Sequence, residues 1–318
     1  RLGLFEDLAS RPATPRSLAS KKKFYFPAVE AWCSAAQALG FLQEKNGRLY
    51  VPHDAIPLLV DRKDPRYLGG QFSYLALRSL EYSRLDDLFA KGKVDGGELT
   101  SSTIEAIESA TEWDHYSFLA AIGEDSRLHS KLASGCRMLD VGCGTGTLMA
   151  KLHARYPNSK FVGIEPATLP ARVRDDGDSI TIQRMDGESM KFADEFEIVY
   201  LGESLYAAKN KAAVLRNCYR ALKSGGSIVI VEGLLPEITS PAKACEAEIE
   251  DALILAMQLD FALQGHRFLD RPTTNRLLRQ SGFSNIKFSD LGGRVFLVMA
   301  DKPVTRKARS SFGAYHAQ

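Results

Sequence analysis

The chain has 318 residues, 45% of them hydrophobic, with 41 basic against 39 acidic side chains and a formal charge of +2. That is enough for two domains with two cores, and a charge so small and unclustered argues against a nucleic-acid footprint. No apolar run reaches the roughly 18 residues of a membrane span, no signal-peptide pattern opens the chain, and five cysteines without a C-x-x-C pair point to reduced thiols in a cytoplasmic protein.

The first hundred residues read as a mainly helical domain, numbered 1–100. Residues 2–9 look like the end of a helix, and Thr14 caps a second one with Pro15 in its first turn. Residues 27–42 follow as a third helix, with Val29, Trp32, Ala36, Leu39 and Leu42 along one stripe. Asn46-Gly47 then turns into residues 48–52 as a hairpin. Three helices and a wing describe a winged helix, a module that in regulators binds duplex DNA. The third helix carries Glu30 and Gln37 but no Arg or Lys, where a recognition helix needs them for bases and phosphates. Lys21, Lys22 and Lys23 form the longest basic run and read as a solvated loop. No Met opens the chain, as expected of a stretch that begins inside a longer one.

Residues 67–82 form an aromatic-rich helix with Phe72, Leu75 and Ser79 on one face and Tyr74 and Tyr82 on another. Such stripes usually fill a core, and part of this one can line a cavity. A glycine-rich break at 91–97 ends the segment, and a helix over 102–116 leads into a second domain at 101–318. Trp113, His115 and Tyr116 fall near the end of that helix.

The most informative run follows: Met138-Leu139-Asp140-Val141, a buried strand, empties into Gly142-Cys143-Gly144-Thr145-Gly146 before a helix at Thr147. Glycines at 142, 144 and 146 allow a sharp turn and a close ligand approach, and the free N–H groups of the helix start face that ligand. The spacing is G-x-G-x-G, not the dinucleotide G-x-G-x-x-G, and alone it also fits a plain strand-to-helix turn. Cys143 reads as a small packing residue. The strand at 160–165 ends on Glu165, 23 positions after Gly142. A doubly wound sheet places a ribose-binding carboxylate at about 20 positions. An ionised carboxylate can accept from both hydroxyls of a diol and would repel a phosphate. The strand at 180–186 ends on Asp186, placed to accept from an adenine amine, or simply a surface-turn acid. With no sheet-edge pattern of basic residues accompanying these strand ends, the turn fits a cationic, phosphate-free nucleoside.

The octet from Leu139 to Gly146, the Glu165 strand end and the helix, glycine turn and strand of residues 217–232 resemble a class I S-adenosylmethionine-dependent methyltransferase. With residues 277–283 and 294–300, the resemblance covers everything after about residue 100. It implies an α/β fold, a doubly wound Rossmann-like sheet preceded by the winged-helix domain. It also implies S-adenosylmethionine as cofactor, held by Asp140, Gly142, Gly144, Gly146, Glu165, Asp186, Gly202 and Glu203. In the small-molecule O-methyltransferases that the chain resembles, the helical module is a dimerisation domain that helps close the acceptor pocket. The expectation is therefore a homodimer acting on a small, aromatic or polyketide-like metabolite, with no nucleic acid and no membrane as partner.

Methyl transfer from a sulfonium is an in-line displacement in which the protein mainly supplies alignment. A hydroxyl acceptor must also lose its proton, and the resembling enzymes use a His after the fourth strand. Here residues 202–210 follow that strand, and Tyr206 stands nearest that position, so oxygen keeps only a slight lead over carbon and nitrogen. His115, its tautomer fixed by Asp114 or another acid, and His266, after a long helix at 242–263, are the alternative bases. Glu203, at the switch point of the sheet, is placed to hold the acceptor or the cofactor amine. Arg267 can pair with an acceptor carboxylate. His53, His129, His153 and His316 show no metal-site clustering. Two rivals stand beside this reading: a fold relative that binds the cofactor without transferring its methyl group, and a winged-helix DNA-binding regulator.

Overall fold

The computed structural model describes residues 2–64, 67–78, 89–90, 101–167, 178–237 and 249–304. The chain divides into two compact units, 1–117 and 118–318. Among the described residues, no helix is long and apolar enough to cross a membrane.

The first unit begins with α1 (Leu4–Ser10), α2 (Pro15–Lys22) and α3 (Phe26–Ala38), followed by a hairpin of β1 (Gln43–Lys45) and β2 (Arg48–Tyr50). Thr14 caps α2 as its sequence suggests: its hydroxyl accepts from the Ser17 N–H, and the Ser17 hydroxyl accepts in return from the Thr14 N–H. Asn46 and Gly47 both have positive φ, the backbone a two-residue hairpin turn requires. The third helix is shorter than expected. It stops at Ala38 because Gly40 turns the chain with φ +79°, which leaves Leu39 69% exposed and seats Leu42 in the core from outside the helix. That core joins Leu4, Leu8, Leu18, Val29, Cys33, Ala36 and Leu49. Beyond it lie α4 (Ile56–Leu59), α5 (Gly69–Arg78) and α6 (Ser101–Glu124), the last continuing into the second unit. On α5 Tyr74 is buried against Ala106 and Ala110, whereas Phe72 and Leu75 are exposed. Ser79, Tyr82 and the glycine-rich break at 91–97 lie outside the described residues.

The second unit is a doubly wound sheet. Its elements are α7 (Ser126–Ser134), β3 (Arg137–Val141), α8 (Thr147–Arg155), β4 (Lys160–Glu165), β5 (Ile180–Arg184), β6 (Phe196–Gly202) and α9 (Lys211–Ala221). They continue with β7 (Leu222–Leu235), α10 (Ile249–Leu263), β8 (Leu269–Asp270), α11 (Arg271–Gln280), β9 (Ser284–Gly292) and β10 (Val295–Asp301). The strands run in the order β5-β4-β3-β6-β7-β10-β9, with β8 pairing the end of β7. The first five are parallel, and β10 is antiparallel to both its neighbours. Such strands are apolar nearly throughout because both faces of the sheet are covered. Leu139, Val199, Leu201, Ile228 and Ile230 face one core with Val214, Leu215 and Cys218 of α9. Met138, Ile198, Tyr200, Val229 and Val231 face the other, with Leu148, Met149 and Leu152 of α8. Each such fully buried aliphatic side chain contributes about 1.5–3 kcal/mol. Chain order reverses between β3 and β6, so the crevice where a ligand binds in such a sheet opens at the carboxyl ends of these two strands.

Candidate active site

The turn after β3 is fixed from three sides. The N–H groups of Gly142 and Cys143 both donate to the Ile164 carbonyl of β4, at 2.8 and 3.1 Å. The Ser204 hydroxyl, just past β6, donates to the Val141 carbonyl at 2.7 Å. A Cβ on Gly142 would lie 2.6 Å from that of Ser204, and φ at Gly142 is +81°, so both space and backbone demand glycine there. Gly144 and Gly146 also have positive φ, and the Cβ position of Gly144 meets nothing within 4 Å, leaving one side of the turn open to a ligand. Cys143 packs over Gly163, whose missing Cβ makes room for its sulfur. The packing role read from sequence is the one observed.

Glu165 sits at the tip of β4 and is half-buried. One carboxylate oxygen accepts from the Gly144 N–H at 3.2 Å and the other from the Ala167 N–H at 3.0 Å, so this side chain ties the glycine turn to its own strand end. Burial raises its pKa and the charge of Asp186 adds to that, while the two backbone donors hold it back. Asp140 is 3% exposed, and burial followed by the charge of Glu165 pushes its carboxyl up to about 7. Asp186 lies two residues beyond β5, is exposed, and accepts from the Glu188 N–H at 2.8 Å. The charges that raise Asp140 and Glu165 are thus neighbouring acids, and this edge of the crevice favours a cation.

Gly202 ends β6, and a side chain there would run into the Tyr200 ring. The next residue, Glu203, has φ +45°, a conformation that costs a non-glycine residue about 1–2 kcal/mol. Its N–H donates to the Val231 carbonyl at 2.8 Å, which continues the β6–β7 pairing past Gly202 and sets Glu203 beside Glu232. The Glu203 carboxyl accepts from the Gly233 N–H, and burial pushes it up to about 7. Glu232 is 3% exposed and accepts from the Leu205 and Tyr206 N–H groups, both at 3.0 Å. Burial, then the charge of Glu203, holds its pKa well above the usual carboxylate range.

Tyr206 stacks on Phe261 of α10 with ring centroids 4.4 Å apart, and meets Phe268 at 5.4 Å and His266 at 5.6 Å. Gln258 of α10 holds the following loop, accepting from the Phe268 N–H at 2.8 Å and donating to the His266 carbonyl at 3.2 Å. Arg267 is exposed, and its N–H donates to the Tyr206 carbonyl at 3.3 Å. The described part of α10 begins at Ile249; residues 242–248 of the expected helix lie outside the described residues, as does His316.

The structure therefore brings Asp140, Gly142, Gly144, Gly146 and Glu165 into one turn, with Gly202 and Glu203 at the neighbouring strand end. Tyr206 and His266 share an aromatic cluster with α10. Trp113, His115 and Tyr116 lie on α6 within the first unit, where the Tyr116 hydroxyl donates to Glu112 at 3.4 Å and Asp114 is buried. Sequence reading missed Glu232, Ser204 and Gln258 as parts of this end of the sheet. For Glu232 a signal existed: an acid closing an apolar strand, as at Glu165.

Residues 139–230 match the model of a family described as methyltransferase domain. The chain is 22% identical to the S-adenosyl-L-methionine-dependent methyl transferase PigF of Serratia, across 95% of this chain and 90% of that protein. It is 28% identical to myricetin 3'-O-methyltransferase 4 of Solanum lycopersicum over 47% of this chain, a stretch that spans only 40% of the tomato enzyme. Human N-acetylserotonin methyltransferase in complex with SAM superposes with a TM-score of 0.68 at 18% identity, covering 95% of this chain and 91% of that one. PigF with SAH gives 0.63 at 20% identity, covering 95% and 93%. At these identities the structures establish a shared fold.

Proposed function

We infer that this chain, which carries a methyltransferase domain, uses S-adenosylmethionine to methylate a small-molecule acceptor, aromatic or polyketide-like, with oxygen slightly ahead of carbon and nitrogen as the methylated atom. The observation that carries this reading is the crevice edge. An open glycine turn is flanked by Asp140 and Glu165, each raised by burial and by a neighbouring acid, which suits a nucleoside with a cationic tail and no phosphate. The relatives' names point the same way.

In this reading Gly142, Gly144 and Gly146 let the backbone approach the nucleoside, and Glu165 accepts from ribose hydroxyls while keeping its two backbone donors. Asp140 sits beneath the cationic tail, and Asp186 at the rim faces the base. When bound, the cofactor supplies a methyl group already activated by its sulfonium charge. The chain's own task is alignment, exclusion of water and removal of the acceptor proton. Tyr206, His266 and Arg267 form one wall of the acceptor site, and Trp113, His115 and Tyr116 are proposed to contribute from α6, with His115 and His266 as alternative bases. A cytoplasmic homodimer is proposed with it, supported by the exposed Leu253 and Leu259 on α10 and Phe72 on α5. The N-terminal unit is taken as a winged-helix dimerisation domain over 1–100, with the catalytic domain over 101–318.

Methyl-labelled S-adenosylmethionine incubated separately with a metabolite extract, bulk RNA, DNA and protein tests this. Label in a low-mass product is expected; label in a polymer would overturn the substrate class.

A further inference from the structure

Resting on the methyltransferase reading above, we propose that Glu203, set beside Glu232 at the ends of β6 and β7, is the general base that takes the acceptor's proton. The geometry distinguishes the two members. Glu232 is buried to 3% exposure, and its two oxygens are taken by the N–H groups of Leu205 and Tyr206, so it cannot turn toward a ligand. Glu203 keeps part of its surface in solvent, and the backbone donor to its carboxyl is Gly233. It stands at the switch point, one residue from Ser204, whose hydroxyl is bonded to the strand leading into the glycine turn. Its left-handed backbone is a strained state for a residue with a Cβ, and strain of this kind persists where the surroundings enforce it, as at reactive sites.

Electrostatics agree. Two carboxyls on neighbouring strand ends, with Glu232 buried, do not both ionise easily, so one proton is retained into the neutral range. Lys211 bears on Glu232 and donates to the carbonyls of Tyr206 and Ala208, both at 2.8 Å. Glu188 and Arg267 in turn bear on Lys211, and Tyr206 and His266 pack alongside. A base poised near neutrality is in the useful range for a phenolic acceptor. The acceptor's O–H bond breaks and its proton passes to the ionised Glu203. The electron pair left on oxygen forms the new bond to the methyl carbon while the carbon–sulfur bond breaks and its pair stays on sulfur. Glu203 then releases the proton to water. A cavity bordered by Glu232, Tyr206 and Thr274, with room for about one water, lies next to Glu232.

The test combines an acceptor-free and an acceptor-dependent readout on wild type and Glu203→Gln. In infrared titration of the protein carrying carbon-13-labelled glutamate, wild type should show a carboxylic acid that ionises near neutral pH, and Glu203→Gln should lose it. With the acceptor found by labelling, Glu203→Gln should lower kcat by about 100-fold or more and be partly rescued by Glu203→Asp. Absence of a neutral-range carboxyl in wild type, or an undiminished kcat in Glu203→Gln, would overturn the proposal. If no acceptor is labelled at all, the function reading fails, while a titration without a neutral-range carboxyl at Glu203 still overturns its role as base.

Discussion

Replacing Asp140 by Asn should stabilise the protein, and the gain should depend on pH in a defined direction. Asp140 is 3% exposed in β3, and burial, then the Glu165 charge, raises its carboxyl from 3.8 to about 7. A raised acid in the folded state means that the unfolded chain ionises first. Below about pH 4 both states hold the proton and the site is neutral with respect to folding. As pH climbs from about 4 to about 7, the unfolded chain is increasingly favoured, and above 7 the full penalty is in place. Moving a carboxyl across that interval corresponds to about 4 kcal/mol. The Asn amide recovers this less the cost of burying its NH2 group, about 1–3 kcal/mol where no acceptor meets it. The net gain expected is therefore about 1–3 kcal/mol at about pH 8, shrinking toward zero or below at about pH 4. Urea unfolding of both proteins across this range reads it directly. A difference that does not change with pH, or a wild type that gains on the variant as pH rises, would refute the assignment of a destabilised carboxylate at this position.

Glu165→Ala removes the acceptor of the Gly144 and Ala167 N–H groups, and isothermal calorimetry with S-adenosylhomocysteine should show affinity lower by about tenfold or more, equal to about 1.4 kcal/mol. Circular dichroism should report an intact fold; an unchanged affinity would remove Glu165 from the cofactor site. His115→Ala and His266→Ala separate the two imidazoles: the one that acts as base lowers turnover with little change in cofactor affinity. If Glu203 is the base, both retain most of kcat, and His266→Ala shows its effect mainly as a lower melting temperature through loss of its contact with Tyr206.

What the sequence made legible follows the range of the interactions. The strands at 137–141 and 160–165 and the turn between β3 and α8 are written in contiguous residues, because apolar runs and glycines act within a few positions. Helix ends were less legible. The α3 stripe continued to Leu42 on paper, but Gly40 broke the helix after Ala38 and Leu42 reached the core along a different path. The Glu203–Glu232 pair was illegible for a further reason. Its members are 29 positions apart and meet only because β6 and β7 are parallel neighbours in register. Glu165 was read as a ribose acceptor from its spacing, yet nothing in the spacing shows that the same carboxylate also bonds the turn it serves.

The packing of Cys143 over Gly163 gives the glycine turn a built-in reporter. The thiol is nearly closed off from solvent, and burial, with the charges of Asp140 and Glu165, holds it as the unreactive protonated form. A modifying reagent can reach it only when the turn lifts from β4, so its modification rate, once Cys33, Cys136 and Cys218 are replaced and Cys245 removed, measures the free energy of that local opening. A ligand that seats only on the closed turn slows the reaction by an amount set by its concentration relative to its Kd. The same thiol can therefore serve as a gauge of occupancy, independent of whether any methyl group is transferred.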